Sequence, residues 1–486
     1  MRSILLVALG LAMTSALTAQ PLEPGRHPMT FTASADGTEQ PYYLFVPSAH
    51  SAETPCPLVV VLHGKTATWQ SWFEATSVCE WAEREGFLVA APHGRGDWFY
   101  LGLGESDTLD VIEEVKRLCS VDEDRVHLMG HSMGGWGTWH LGTAHPDLFA
   151  TITPMSGWAP LDRLENLTHT AVFVAHGDAD EIVPVEWSRE AVARLDELGI
   201  EHRYVEAPGV GHESSLISEL LPEIGDWIRD RRRVSRPATV SLRTQTPRRG
   251  RSHWLAIRET RRYPELAGIV GRIEENRIAL QTFNLASFSL NPAAAPLDTS
   301  AEISLEVDDV PLTAPPAGEG EVLLLRALGQ GWTVEVTSRE DAAPPPPREI
   351  ALPLDPEAGE LCEQMACALQ SAFDVDAALL HRDLVAPSCP SGEWTTDSIL
   401  DIYLRPMDSL CIVTVTAGEV SSPEALAEWS PWWWGEAVVA PPLPSDDPQR
   451  MVRLLCTDRV ARRMGREAEP TGWSIAETLA EMGESR

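Results

Sequence analysis

The stretch Val126–Gly135, with the sequence VHLMGHSMGG, decides the fold of this chain of 486 residues. An apolar strand runs into Gly-x-Ser-x-Gly, centred on Ser132, and then into a glycine-rich helix start. A serine on such a strand-to-helix turn must adopt strained backbone angles, and the neighbouring glycines allow the close packing that this needs. The turn holds the hydroxyl out at the carboxyl edge of a sheet, where a histidine can reach it. The stretch therefore predicts that Ser132 is a nucleophile.

Two downstream segments provide partners for this serine. The apolar strand 171–175 is followed by His-Gly-Asp-Ala-Asp-Glu-Ile-Val-Pro, which contains Asp178 and Asp180. A later strand ends in a glycine-rich loop that carries His212. A carboxylate just past a strand end is well placed to orient a histidine. We predict Asp180 as the acid, because the pattern His-Gly-x-x-Asp-x-x-Val-Pro usually carries it, and Asp178 is the rival.

An oxyanion hole needs two backbone N–H groups that face the developing negative charge. We expect one from Met133, the residue after the nucleophile, since this is the usual donor on such a turn. The other should follow the strand 57–62 and its His63-Gly64 ending, from Lys65 or Thr66. His63 itself is predicted to shape this loop, because the hole uses main-chain donors.

Further segments between residues 29 and 230 carry a family resemblance. They are Leu62–Gly64, Pro92–Gly96, Val121–Val126, His145–Ala150 and Pro154–Gly157. With these segments and the chain order serine, aspartate, histidine, the region resembles secreted α/β-hydrolases of the carboxylesterase type. Feruloyl and acetyl-xylan esterases, polyhydroxybutyrate depolymerases and the catalytic domain of prolyl oligopeptidases are similar in pattern. The resemblance implies an α/β-hydrolase fold and a Ser-His-Asp acyl-enzyme mechanism.

The order of elements predicts the same fold class without the family. An opening hairpin fits 29–31 and 41–47, and continuous apolar runs follow at 58–62, 88–91, 126–129, 150–153 and 171–175. Helical patterns such as Asp107–Leu118 and Trp187–Leu198 lie between them. Such alternation indicates a mostly parallel sheet with helices on both faces. The short segment between Gly157 and Ala171 leaves no room for a lid, which predicts an open active site for bulky substrates.

The N-terminus and the charge bear on location and partners. Residues 1–20 contain Arg2, an apolar run and then small residues, which predicts a secretory signal peptide. No later segment is apolar for long enough to span a membrane. We therefore expect an exported protein, periplasmic or extracellular. The formal net charge of −34 argues against nucleic acid and anionic membrane surfaces as partners.

The sequence divides after the signal peptide into four predicted regions. They are a catalytic α/β-hydrolase domain at 29–230, a β-rich, sandwich-like accessory domain at 231–341, a proline-rich linker at 342–349 and an α+β domain at 350–486. In the last region, the segment from Gly392 through Thr396 and Pro406 to Val415–Gly418 weakly resembles the C-terminal domain of 5′-nucleotidases. It lacks evident base-stacking aromatics, so we expect no catalysis there. Nine arginines between Arg229 and Arg251 are interpreted as a solvated helix end and linker rather than as an anion site.

Cysteine and tryptophan usage limits the chemistry. Eight cysteines are compatible with disulfides in an oxidising compartment, and none has zinc-ligand spacing, so we predict neither a metal nor another cofactor. Seventeen tryptophans are present, of which Trp98, Trp136, Trp139 and Trp158 are expected at or behind the rim of the active site. Indole faces stack on sugar rings and phenolic groups, although core packing explains most tryptophans in a protein.

Together these features predict a secreted serine hydrolase that cleaves carboxylic esters, on plant polysaccharides or other bulky esters. One alternative is a serine peptidase of the prolyl oligopeptidase type, which uses the same triad, but no propeller domain precedes the hydrolase. The second alternative is a non-catalytic exported binding protein. The complete set of Ser132, Asp180 and His212 argues against it.

Overall fold

The computed structural model describes residues 22–339 except 98, 263, 264 and 330, together with Ala342 and the backbone of five strands beyond residue 376. The predicted signal peptide, Trp98 and positions 343–349 of the predicted linker lie outside the described residues. Within the described part, no helix has the length and apolar character needed to cross a membrane.

Residues 25–207 contain an eight-stranded sheet with the order β1-β2-β4-β3-β5-β6-β7-β8. Its strands are β1 (Gly25–Thr32), β2 (Glu39–Val46), β3 (Cys56–Leu62), β4 (Leu88–Pro92), β5 (Val121–His131), β6 (Thr151–Met155), β7 (Ala171–Gly177) and β8 (His202–Ala207). The predicted hairpin is confirmed, since β1 and β2 pair in antiparallel fashion and β2 joins β4 in the same way. All other pairs are parallel.

Helices cover both faces of this sheet. They are α1 (Ser71–Ala75), α2 (Val78–Glu85), α3 (Leu103–Leu118), α4 (Met133–Ala144), α5 (Glu186–Leu198) and α6 (Ser215–Ile228). The central strand β3 shows why two layers are needed, because Leu58 and Val60 enter the core on one face and Val59 and Val61 enter the core on the other. Alternating side chains point to opposite faces, so a strand that is apolar throughout must be covered twice. The architecture is the α/β-hydrolase fold that the sequence predicts.

A second, β-rich unit follows. Its strands are β9 (Thr239–Thr244), β10 (Arg251–Ser252), β11 (Leu255–Thr260), β12 (Ala267–Glu274), β13 (Arg277–Phe283), β14 (Leu285–Leu290), β15 (Ser304–Val307), β16 (Val310–Thr313), β17 (Glu321–Leu328) and β18 (Gly331–Ser338). They form two five-stranded sheets, β10-β11-β14-β17-β18 and β16-β15-β13-β12-β9. Trp254, Phe288 and Leu325 lie in one apolar core to which both sheets contribute.

Five later strands make another sheet, of which only the backbone is described. They are β19 (Ala377–His381), β20 (Ser409–Thr416), β21 (Ala437–Ala440), β22 (Met451–Thr457) and β23 (Glu469–Ser474). Their order is β21-β19-β22-β20-β23. The resemblance of this region to 5′-nucleotidases stays a prediction, as do the boundaries of the four regions.

The arginine-rich segment between α6 and β11 is more than a solvated linker. Arg251 does extend into solvent, with 77% of its side chain exposed. Arg249, in contrast, is 5% exposed and contacts the carboxylate of Glu105 at 2.6 Å. Arg243 forms a two-bond ion pair with Glu165, at 2.6 and 2.8 Å. The interpretation as a solvated segment is therefore wrong for these arginines, which join the β-rich unit to acidic residues of the α/β-hydrolase unit.

Candidate active site

Ser132 lies on a sharp turn between β5 and α4. Its backbone has φ 60° and ψ −118°, a left-handed conformation that non-glycine residues rarely adopt. The turn is possible because the backbone packs very closely there. A Cβ on Gly130 would lie 2.3 Å from the carbonyl oxygen of Gly134, and a Cβ on Gly134 would lie 2.1 Å from that of Leu62. These contacts explain the glycines of the Gly-x-Ser-x-Gly pattern.

The structure brings Ser132, His212 and Asp180 together. Nε2 of His212 lies 2.7 Å from Oγ of Ser132, and Nδ1 of His212 lies 2.7 Å from Oδ2 of Asp180. The aspartate is 8% exposed and the histidine side chain 9% exposed. A continuous chain of hydrogen bonds thus leads from a buried carboxylate through an imidazole to a hydroxyl.

Asp180 is held as a carboxylate by four donors. Oδ1 accepts hydrogen bonds from the backbone N–H groups of Ile182, at 2.9 Å, and Val183, at 2.8 Å. Oδ2 lies 3.2 Å from Nε2 of His176 in addition to its contact with His212. Burial alone would raise the pKa of Asp180, but the hydrogen bonds from the two histidines outweigh it and lower the pKa below its usual range. The group therefore carries a negative charge at neutral pH.

The rival acid occupies a different place. Asp178 is exposed, and its Oδ1 accepts the backbone N–H of Gly209 at 2.5 Å. It shapes the loop that carries His212 instead of touching the imidazole.

Two loops meet around the hydroxyl of Ser132. Met133 begins α4, so its N–H has no acceptor within the helix. Gly64 lies on the other side, where an added Cβ would be 3.5 Å from the Cβ of Ser132. The N–H of Thr66 donates to Oδ1 of Asp97 at 2.7 Å and is therefore occupied. The choice of Thr66 as a donor is thus wrong, and Lys65 remains the candidate beside Met133.

His63 ties this loop to its neighbour. Its two ring nitrogens lie 2.9 Å from the carbonyl oxygen of Gly64 and 3.0 Å from that of His93. The residue is 1% exposed. This arrangement agrees with the predicted loop-shaping role.

Two further histidines of the site escaped the sequence analysis. The ring of His131 lies 4.9 Å from that of His212, centroid to centroid, with a tilt of 38°. Burial lowers the pKa of His131 to about 3, so a neutral ring packs against the central imidazole. His176 bridges Oδ2 of Asp180 and Oγ of Ser188, the latter at 2.7 Å. His176 stands in the same motif as Asp180, whereas nothing in the sequence signals a role for His131.

A group of aromatic rings lies beside these loops. Trp158 is half-buried and stacks on Trp136 at 5.1 Å and 20°. Its ring also meets Trp187 at 5.6 Å and Phe99 at 5.9 Å. Trp139, in contrast, is completely buried in the core. Of the predicted tryptophans within the described residues, only Trp158 combines a place in this aromatic cluster with partial exposure.

Part of this chain is similar to known esterases. Residues 107–228 match the family described as Phospholipase/Carboxylesterase. A feruloyl esterase B from Thermothelomyces thermophilus is 31% identical over 129 residues, which is 24% of this chain and 44% of the relative. A bifunctional acetylxylan esterase/xylanase from Neocallimastix patriciarum is 26% identical over 151 residues, 30% of this chain and 22% of the relative. The chain thus spans less than half the length of these two curated relatives.

Among solved structures, a CE1 ferulic acid esterase from Anaeromyces mucronatus has a TM-score of 0.36 and 15% identity, covering 43% of this chain and 90% of that structure. The sheet order and the turn at Ser132 give residues 25–228 the α/β-hydrolase fold, and within it residues 107–228 are similar to carboxylesterases.

Proposed function

We propose that this chain is an exported serine hydrolase that cleaves carboxylic esters through an acyl-enzyme. The observation that carries the proposal is the hydrogen-bond chain from Ser132 through His212 to Asp180, with both distances at 2.7 Å. The esterase relatives and the family match support the reaction class. Export rests on the predicted signal peptide at 1–20.

In the proposed reaction, Oγ of Ser132 attacks the ester carbonyl carbon while Nε2 of His212 takes the hydroxyl proton. Asp180 holds the imidazole in the tautomer with a proton on Nδ1 and stabilises the imidazolium that forms. The carbonyl oxygen becomes negative, and the N–H groups of Met133 and Lys65 stabilise it. Collapse of the tetrahedral intermediate expels the alcohol, which receives the proton from Nε2.

The acyl-enzyme then reacts with water by the same steps. His212 takes a proton from the water as its oxygen attacks the acyl carbon, and the proton passes to Oγ as the acyl–oxygen bond breaks. The products are a carboxylic acid and free Ser132. The low pKa of Asp180 keeps its charge through both halves of the reaction.

Bulky esters are the proposed substrates. The connection from β6 to β7 holds only a short 3-10 helix, Leu161–Leu167, so no lid is inserted at this point. The partly exposed rings of Phe99, Trp158 and Trp187 offer flat surfaces for an aromatic acyl group or a sugar ring. Esters of plant polysaccharides combine both chemical features.

Steady-state hydrolysis of acetyl, feruloyl and longer acyl esters by the full chain tests the proposal, with a proline-type amide as the competing substrate class. We expect ester turnover that disappears in Ser132→Ala while the circular dichroism spectrum stays unchanged. Amide cleavage without ester cleavage would replace the esterase by a peptidase. Turnover that survives Ser132→Ala would overturn the proposed mechanism.

A further inference from the structure

A second buried carboxylate, that of Glu105, lies beside α4, the helix that follows Ser132. Glu105, on α3, is 4% exposed. Its Oε2 lies 3.0 Å from Nε2 of His140, and its Oε1 lies 2.9 Å from Nε2 of His145. A buried charge is tolerated only where it is paired and hydrogen-bonded, so this site must contain a compensating cation.

The cation comes from the β-rich unit. Arg249 ends the turn after β9, and both its Nε and its Nη2 contact Oε2 of Glu105, at 2.8 and 2.6 Å. The guanidinium of Arg248 is farther away, at 3.9 Å. Burial would raise the pKa of Glu105, but the charge of Arg249 and the bonds from the two histidines hold it well below its usual range. The α/β-hydrolase unit supplies the buried anion, and the β-rich unit supplies the cation that balances it.

His140 connects this ion pair to the active site. It belongs to α4, the helix that begins directly after Ser132. At a rise of 1.5 Å per residue, His140 is about 12 Å from the nucleophile along the helix axis. The helix contains no Asp, Glu, Lys or Arg, so few of its side chains can form ion pairs with the rest of the protein. The ring of His140 also stacks on that of Trp136 in the same helix, at 5.8 Å and 25°.

The start of α4 leaves little tolerance for displacement. A Cβ on Gly135 would lie 2.3 Å from the carbonyl oxygen of Met155, which shows how closely the helix approaches the end of β6. The same carbonyl accepts the N–H of Ser132 at 2.9 Å. Any shift of the helix along or across its axis therefore moves the nucleophile and the N–H of Met133 together.

We infer that Arg249 is a positioning residue for the hydrolysis proposed above: through Glu105 and His140, the β-rich unit holds α4 where Ser132 and Met133 are aligned for reaction. The inference rests on the proposed function of Ser132. It makes the β-rich unit part of the catalytic apparatus rather than a spacer.

Arg243 provides a matched control. It also belongs to the β-rich unit and pairs with a carboxylate of the α/β-hydrolase unit, but the side chain of its partner Glu165, in the 3-10 helix Leu161–Leu167, contacts Arg194 rather than a side chain of α4. Glu165 keeps a second guanidinium, that of Arg194, at 3.5 Å. The backbone of Arg243 bonds to Asn166, and a side-chain substitution leaves those bonds in place. Arg249→Met and Arg243→Met therefore each remove one positive charge of the β-rich unit, at two different places where it contacts the α/β-hydrolase unit.

The experiment compares these two variants in the full chain with a small ester, p-nitrophenyl acetate, as the substrate. Since misplacement of a reacting group by about 1 Å can cost a hundredfold, we expect Arg249→Met to lower kcat by at least about tenfold with little change in KM. Arg243→Met should leave both constants close to those of the unchanged chain. Equal activity of the two variants would overturn the inference, as would a rise in KM without a fall in kcat.

The second readout does not depend on the natural substrate. A fluorophosphonate reacts with an activated serine: Oγ of Ser132 forms a bond to phosphorus, fluoride leaves, and the proton goes to His212. The labelling rate should fall in Arg249→Met by the same factor as kcat. If the unchanged chain is not labelled at Ser132, the proposed function fails and the inference with it. Normal labelling of Arg249→Met would overturn the inference alone.

Two more variants guard against a simple failure to fold. Arg249→Lys keeps the charge but cannot reproduce both contacts, so its labelling rate should lie between those of the unchanged chain and Arg249→Met. In Arg249→Ala, added guanidinium should restore part of the lost rate, whereas sodium at the same ionic strength should not. Equal effects of the two cations would show that a guanidinium at this place does not position the helix, and would overturn the inference.

Discussion

Asp180 and Glu105 each contact two histidines, but the two clusters differ in the further group that each of them binds. Asp180 bonds to His176 and His212, and Glu105 bonds to His140 and His145. Both acids are buried, and both have a pKa below the usual range. We call them the Asp180 cluster and the Glu105 cluster.

The second nitrogen of the imidazole decides what each cluster can do. In the Asp180 cluster, Nε2 of His212 faces the hydroxyl of Ser132, so a proton can move between them. In the Glu105 cluster, Nδ1 of His140 is buried and has no hydrogen-bond partner among the described side chains and backbone. The carboxylate is instead closed by Arg249. Both clusters pair a carboxylate with two histidines. The Asp180 cluster is suited to proton transfer, and the Glu105 cluster is suited to holding the two units together.

The largest expected effect concerns the Asp180 cluster. Asp180→Asn keeps the shape of the side chain but no longer fixes the tautomer of His212, and the corresponding change in a serine triad lowers kcat about 10⁴-fold. We expect that loss in ester turnover, with an unchanged circular dichroism spectrum. Asp178→Asn is the control and should retain nearly full activity, because among the described residues that side chain accepts the N–H of Gly209 and does not contact His212. Loss of activity in Asp178→Asn, with activity retained in Asp180→Asn, would assign the acid of the triad to Asp178.

The next effect breaks the Glu105 cluster. Glu105→Gln removes the carboxylate that contacts the buried guanidinium of Arg249, and removal of one member of a buried ion pair costs about 3–5 kcal/mol. Urea unfolding should show this decrease in the free energy of unfolding. In Glu105→Gln/Arg249→Met both charges are gone, so we expect part of the stability to return. A decrease below about 1 kcal/mol would mean that the pair behaves like a solvent-exposed one.

The two clusters also differ in how far the sequence reveals them. Ser132, Asp180 and His212 stand in local patterns that follow strand ends, and the parallel sheet brings such ends to one edge. Glu105 pairs with residues 35, 40 and 144 positions away, and no local pattern marks any of them. The arginine-rich segment was visible as a composition feature, but the acids that would pair with it could be located only in three dimensions. Thr66 fails for a similar reason, because Asp97 reaches its N–H from another loop.

The pH dependence of stability should reveal the protonation of the Glu105 cluster. Burial lowers the pKa of His140 to about 4, against an ordinary value of 6.5. Between these pH values the unfolded chain binds a proton that the folded chain does not bind, so His140 lowers the free energy of unfolding as the pH falls. The slope is about 1.4 kcal/mol per pH unit. Above pH 6.5 the residue is neutral in both states and contributes no slope.

His140→Gln isolates this contribution. His127 and His131 are also buried with a pKa of about 3, and they add similar slopes in both chains. Between pH 6 and 5, the original protein should therefore take up about one proton more on unfolding than His140→Gln does. This number follows from the slope of the free energy of unfolding against pH, measured by urea unfolding at each pH. Identical slopes would mean that His140 is already protonated in the folded state, in which case Glu105 would be paired with two cations.

The smallest effect concerns the second histidine of the Glu105 cluster. The side chain of His145 is 23% exposed and lies after the end of α4, so water can replace part of its contact with Oε1 of Glu105. A glutamine amide can also donate to that oxygen. We expect His145→Gln to lower the free energy of unfolding by about 1 kcal/mol or less, the net value of a single hydrogen bond, and to leave kcat unchanged. A fall in kcat comparable to that of Arg249→Met would contradict this expectation. It would mean that the contact of His145 with Glu105, at the C-terminal end of α4, positions the helix and with it Ser132.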